Sequence, residues 1–274
     1  MTLTIRPLLL VLILMIAGAA SAAEDVRSAL GQARNQCRAG SPPLRPNAQL
    51  DEVARSLSQG SNLQDALRAS GYRARRSFQW TMRGYRTPQA MAQNLVQSHC
   101  KNLGDPEFRE VGVHASGNSS WIVVAAPFSP PAQAQATDIG ARVLALANQA
   151  RAQPRRCGSQ SFGAAPPLVL NTSLNAAAAE HANSMARRSF LEHEGRDGSS
   201  PADRASRAGY RWRSIAENIA AGQTTPERVM ADWLKSPEHC VNIMDPRFNE
   251  MGVAFAVNKT SQGGIYWAQL FGRR

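Results

Sequence analysis

Five histidines stand in this 274-residue sequence. Three of them, His181, His193 and His239, lie in its second half beside acidic residues. His193 follows Phe190-Leu191-Glu192, just past the end of a predicted helix. Glu217 lies in Ala216-Glu217-Asn218-Ile219-Ala220, after a Gly-Tyr corner, and His239 sits in a short turn opened by Ser236-Pro237. Two imidazoles and one carboxylate, offered from three separate loops, suit a divalent metal such as zinc, or proton transfer. A helix start disfavours a protonated His239, which helps it act as a ligand. The same residues equally suit a hydrogen-bonded pair that closes loops onto the core. His181 falls on an apolar stripe with Leu174, Ala178 and Met185, the ordinary setting of a buried core histidine as well as of a ligand. Glu192 and Glu238, beside two of the histidines, read as solvated carboxylates. The sequence holds no His-x-x-x-His pair, no cysteine ligand set and no Gly-x-Ser-x-Gly elbow.

These residues need elements to bring them together. A helix is expected over about Thr172 to Arg188, because its apolar residues recur at helical spacing. Ser199-Ser200-Pro201-Ala202-Asp203 caps a short helix that Gly209 ends. Thr225-Pro226-Glu227 is a cap followed by proline at the first helical position, and Val229, Met230, Trp233 and Leu234 form that helix's apolar face. Ser236-Pro237-Glu238 opens the turn that carries His239. Met251 to Val257 and Ile265 to Leu270 read as strands. Upstream, Asp138 is a plausible cap for a helix bearing Ile139, Val143, Leu146 and Ala150, and Arg151 to Ala165 reads as a loop holding Cys157.

The stretch around His239 has an echo. His239-Cys240, Asn242, Asp245-Pro246, Phe248, Glu250 and Gly252-Val253 match His99-Cys100, Asn102, Asp105-Pro106, Phe108, Glu110 and Gly112-Val113 in one register. Pro42-Pro43-Leu44, Gly71-Tyr72-Arg73 and Thr87-Pro88-Gln89 likewise precede Pro166-Pro167-Leu168, Gly209-Tyr210-Arg211 and Thr225-Pro226-Glu227. Such self-similarity predicts two tandem copies, residues 24–128 and 138–274. Between them residues 129–137, rich in proline and small polar residues, read as a linker. In the first copy Leu57 replaces His181, the His193 segment is missing and Gln79 stands for Glu217, so only His99 of that set survives. Four cysteines allow three connectivities. The repeat selects Cys37–Cys100 and Cys157–Cys240, each tying an N-terminal loop to the turn before the strands, worth about 4 kcal/mol in the chain-entropy account.

Residues 1–23 read as a secretory signal peptide: Arg6, an apolar run from Leu8 to Ala20, then Ala20-Ser21-Ala22 as a small-x-small cleavage site. Export to the periplasm or the exterior would oxidise the cysteines. No later segment is apolar enough to span a bilayer. The net charge of +11 comes almost wholly from arginine. These arginines are scattered, so a generally basic surface is expected and specific nucleic-acid binding is not.

The second copy resembles the CAP domain, also called the SCP domain, of cysteine-rich secretory proteins, antigen 5 and pathogenesis-related 1 proteins, in its bacterial secreted branch. The resemblance rests on His181-Ala182-Asn183-Ser184-Met185, Phe190-Leu191-Glu192-His193, Ala216-Glu217-Asn218-Ile219-Ala220, Trp233-Leu234-Lys235-Ser236-Pro237-Glu238-His239, Asn242-Ile243-Met244, Gly252-Val253 and Tyr266-Trp267-Ala268-Gln269. It implies an α/β fold, an α-β-α sandwich with a small antiparallel sheet between helices. It also implies a cleft in which His193, Glu217 and His239 match the family's polar set, some members of which bind zinc or another divalent ion. Ala216 stands where the family has glycine, and Ser236 at its second acidic position.

The leading expectation is a secreted, non-enzymatic binding protein that takes a small molecule, a lipid or an envelope component in or beside this cleft. A metal-dependent hydrolase, with His193 and His239 as ligands and Glu217 as base, is the second. A basic module that binds polyanions of the envelope is the third.

Overall fold

A computed structural model describes residues 7–274, with side chains from Ala22 onward. The expected signal peptide, residues 1–23, falls almost wholly on side chains outside those described. The chain divides into two compact units, 1–128 and 129–274. Among the described residues no helix is long and apolar enough to cross a membrane.

The first unit contains α1 (Pro7–Cys37), β1 (Arg45–Pro46), α2 (Ala48–Ser58), α3 (Leu63–Ser70), β2 (Ala74–Arg83), α4 (Pro88–Leu103), β3 (Glu110–Ser116) and β4 (Ser119–Pro127). Its strands form one sheet in the order β1-β3-β4-β2. Strand β4 is central and alternates its side chains. Ile122, Val124 and Ala126 enter a core with α1 and α4, while Val123 and Ala125 enter a second core with α2 and α3. This period of two places a helical layer on each face of the sheet.

The second unit contains α5 (Ala136–Arg151), β5 (Arg155–Cys157), β6 (Gln160–Phe162), β7 (Val169–Leu170), α6 (Thr172–Arg188), α7 (Pro201–Arg207), β8 (Ser214–Ala221), α8 (Pro226–Lys235), α9 (Pro237–Met244), β9 (Glu250–Val257) and β10 (Ile265–Arg273). Its sheet runs β7-β9-β10-β8. Tyr266, Ala268 and Leu270 of β10 pack against Leu174, Ala178, Ala182 and Met185 of α6. The intervening residues turn to the other face, where Trp267 meets Phe255 and Phe271 meets Phe248.

Several details depart from the sequence reading. Neither four-stranded sheet is purely antiparallel, because the two-residue strands β1 and β7 pair in parallel with β3 and β9. Each of these strands leads straight into a capped helix. Asn47 and Asn171 accept from the first helical N–H groups and donate through their amides to Glu110 and Glu250. The expected loop from Arg151 to Ala165 contains the β5–β6 hairpin. The capping box of α7 is formed by Ser200 and Asp203 as expected, but α5 begins at Ala136. Asp138 therefore sits in its first turn, where its charge still favours the helix dipole.

One buried arginine in each unit pins its loops. Arg34 donates to the carbonyls of Pro42, Leu103, Asp105 and Phe108, and Arg151 to those of Pro166, Ile243, Asp245 and Phe248. Burial pulls both guanidinium pKa values down, yet arginine stays charged in proteins. Other contacts recur in the same places. Tyr72 donates to Glu110 and Tyr210 to Glu250, while Asp51 and Asn175 accept from the N–H groups of Val113 and Val253. A Cβ at Gly112 or Gly252 would lie 2.1 Å from the backbone of Leu50 or Leu174, so only glycine lets each helix lie this close to its strand. Cysteines pair Cys37–Cys100 and Cys157–Cys240.

Candidate functional site

The polar residues of the second unit meet at Glu217. It sits on strand β8, not on a loop as the sequence implied, and its side chain is 1% exposed. One carboxylate oxygen, Oε1, lies 2.9 Å from His193 Nδ1, and the other accepts from Arg204 at 2.8 Å. His193 comes from the segment after α6, which ends at Ser189 in the left-handed conformation, φ 53°. Arg204 reaches from α7 and binds three parts of this corner. Besides Glu217 it donates to the carbonyl of His193 at 2.9 Å and to that of Ser199 at 2.7 Å. A single guanidinium thus fixes both the loop and the carboxylate.

This geometry assigns the proton on His193. A carboxylate accepts, so Nδ1 carries the hydrogen of this bond and Nε2 is the nitrogen left facing away from Glu217. The His193 side chain is 53% exposed, and Glu217 orients the ring from behind.

His181 lies deeper, with no exposed side-chain surface. Its Nε2 is 2.9 Å from the carbonyl oxygen of Glu192, which can only accept, so Nε2 is the protonated nitrogen. The same nitrogen stands 3.8 Å from Glu217 Oε1. His181 Nδ1 and Arg204 Nε are buried without a hydrogen-bond partner. Burial lowers the pKa of His181, against the opposing pull of Glu217. It is a core histidine that closes the segment around Glu192 onto α6, and its ring stacks edge-on against Phe190 at 6.1 Å.

His239 sits in α9, held by amides. Asn218 donates to the His239 carbonyl and to Gln269 Oε1, each at 3.2 Å. Asn242 donates to Asn218 Oδ1 at 2.9 Å and to the Glu217 carbonyl at 3.2 Å. Asn218 and Gln269 are fully buried, so this chain ties β8, β10 and α9 into one polar seam. Burial lowers the pKa of His239, and the nearby charge of His193 lowers it further. Its imidazole is neutral at pH 7.

The resemblance implies a divalent ion held by His193, Glu217 and His239. The donor set does not fit that assignment. Glu217 has committed one oxygen to His193 and the other to Arg204, so it backs an imidazole instead of offering a free ligand. Among the described residues no group of three or more His, Cys, Asp or Glu side chains is placed to hold an ion. What the corner presents outward is the Nε2 of His193. Arg204 went unnoticed in the sequence because nothing distinguishes it from the many other arginines. Its capping box was legible, but the direction of the next side chain was not.

A second feature lies between α5 and α8. A groove of about 380 Å³ is walled by Leu146, Ala150, Met230 and Leu234. Arg155 lines the same groove, and its Nε is buried with no hydrogen-bond partner. Glu227, also in the lining, is occupied by Arg142 at 2.7 Å, which holds its carboxyl below the usual range.

Comparison with known proteins agrees with this architecture. Residues 144–271 match the family described as CAP, the cysteine-rich secretory protein family. The chain is 31% identical over 105 residues to the uncharacterised protein YkwD of Bacillus subtilis, a match that covers 38% of this chain and 39% of that protein. Among solved structures, Na-ASP-1 superposes with a TM-score of 0.54 at 12% identity, covering 92% of this chain and 89% of that one. An extracellular SCP-domain protein of Bacillus anthracis aligns with a TM-score of 0.43 at 16% identity, over 60% of this chain and 56% of that one. The Na-ASP-1 likeness is one of fold, and the family match falls wholly within the second unit. Residues 144–271 of this chain are thus similar to the CAP domain in sequence pattern, and the second unit that holds them has a matching fold.

Proposed function

We propose that this is an exported, non-enzymatic binding protein whose CAP domain takes an amphiphilic ligand, a lipid or lipid-like envelope component with an acidic head. The observation that carries this reading is the α5–α8 groove, where apolar walls meet an arginine N–H that has no partner inside the protein. The Arg155 guanidinium, only partly buried in that lining, supplies the cation that an acidic headgroup there would meet. The apolar walls would take the tail at about 25 cal/mol per Å² buried. The paired cysteines and the family match support export.

The Glu217 corner speaks against Glu217 as the base of a hydrolase. A general base needs a carboxylate free to accept a proton, and Glu217 is held between Arg204 and His193. In this reading no step of hydrolysis is assigned to His193.

We also infer that the first unit is a degenerate copy of the CAP domain. The equivalent strand orders and the paired Arg34/Arg151, Tyr72/Tyr210 and Gly112/Gly252 contacts support the duplication. Gln79 in place of Glu217, and the missing His193 segment, support loss of the cleft chemistry while the frame was kept.

The test is titration with a fluorescent long-chain fatty acid. Wild type should bind it saturably, and Arg155→Met should weaken it at least fivefold while leaving a fatty alcohol of equal length within twofold. Absence of saturable binding by wild type, or equal loss of acid and alcohol in a variant with unchanged circular dichroism, would overturn the assignment.

A further inference from the structure

The two disulfides occupy corresponding places but not corresponding environments. In the second unit Cys157 is 3% exposed and Cys240 fully buried. They pack with Met244, Phe162 and Val241. The cover is the β5–β6 hairpin, which carries Cys157 at the end of one strand and Phe162 on the other. Its turn residue Gly158 lies so close to Pro237 that a Cβ there would stand 2.9 Å from the proline ring.

Among the described residues the first unit has no such hairpin. Helix α1 ends on Cys37 itself, and the chain turns directly through Gly40 toward β1. Both Cys37 and Cys100 are only partly buried. An open groove of about 450 Å³ is lined by both of them. Arg38 and Lys101, each the next residue after a cysteine, line it as well and are exposed. Asp105 is the acidic group in the lining, and Arg76 pairs with it at 3.0 Å.

We propose that Cys37–Cys100 is a thiol-exchange site that reacts with acidic low-molecular-weight thiols, while Cys157–Cys240 is a structural bond closed to them. Exchange needs a thiolate to reach a disulfide sulfur, and positive neighbours both attract an anionic thiol and stabilise the thiolate that leaves. The incoming thiolate bonds to one protein sulfur, the Cys37–Cys100 bond breaks, and the other sulfur leaves as a thiolate that takes up a proton. A second reagent thiol attacks the mixed disulfide, releases the second protein cysteine and is itself oxidised. Two electrons pass from two reagent thiols to the cystine. The unit survives this change because Arg34 still joins α1 to the carbonyls of Leu103, Asp105 and Phe108, the same segments that the disulfide ties.

The full chain is incubated with glutathione without denaturant, trapped with iodoacetamide and mapped by peptide mass spectrometry. Glutathione adducts and alkylation should appear on Cys37 and Cys100 at least tenfold faster than on Cys157 and Cys240. Circular dichroism should stay unchanged. A double variant, Arg38→Ala with Lys101→Ala, should slow reaction with glutathione several-fold more than reaction with neutral 2-mercaptoethanol. Equal reactivity of the two bonds, earlier opening of Cys157–Cys240, inertness of both, or an equal loss of rate for both reagents in the double variant would overturn the proposal.

Discussion

Arg204 and Glu217 form a nearly water-free ion pair, each side chain 1% exposed. Such a pair contributes little compared with an apolar replacement of both partners, but removing one partner strands a buried charge. Arg204→Met should therefore cost about 3–5 kcal/mol. The double variant Arg204→Met with Glu217→Gln should recover part of that loss. Urea unfolding followed by circular dichroism measures both, and a double variant no more stable than the single one would show that the loop contacts to His193 and Ser199, and not the charge, dominate. At this scale the sequence told much of the story. Asn218, Asn242 and Gln269 enter only within the runs that carry the family resemblance, whereas His193, Glu217 and His239 stand out by residue type. Their partners did not, because a hydrogen bond between residues far apart in the chain leaves no local trace.

The elements follow the sequence where a local rule governs them. Asn47, Asn171, Thr87 and Thr225 each cap the helix that begins after them, because a short polar side chain there satisfies N–H groups left open by the first turn. The β5–β6 hairpin and the two-residue parallel strands escaped notice. Three residues are too few to show a period, and what holds them is their packing on Cys240, β3 and β9. The buried arginines escaped for the same reason. Each is worth more than an ordinary charge, since four carbonyls converge on one guanidinium that a shorter or differently shaped side chain cannot imitate. Arg151→Lys should lower the stability of the second unit by about 2–4 kcal/mol, because an ammonium offers three donors without the planar fork and leaves buried carbonyls unmet. Hydrogen exchange at the amides of Asp245 and Phe248 is the readout, and unchanged protection there would count against a pinning role.

For the whole molecule the consequence is a dependence on pH. Burial lowers the pKa values of His114, His181 and His239 below the ordinary value of 6.5. The unfolded chain therefore binds protons that the folded one refuses. Their neutral-state stability is fully present above 6.5 and is lost as the pH falls from there toward the lowered folded values. A second loss begins below the ordinary carboxylate range of about 4. There Asp245, whose pKa the Arg247 guanidinium lowers against burial, and Asp197, held near 2 by hydrogen bonds from Ser199, take up protons more readily when unfolded. With +11 charges already present at pH 7, added protons also increase self-repulsion. Calorimetry between pH 7.5 and 5 should show the melting temperature falling on acidification, and His181→Gln should flatten that fall. A melting temperature that rises as the pH drops would contradict the assignment of these imidazoles as neutral.

The missing Cβ atoms at Gly112 and Gly252 bear on more than packing. Where a helix lies with its main chain against a strand, it can neither slide nor roll without collision. Helix α6 is seated on β9 in this way at its N-terminal end, and His193 hangs from the other end of the same rod. The place of that imidazole is thus set some four turns away, by an atom that is not there.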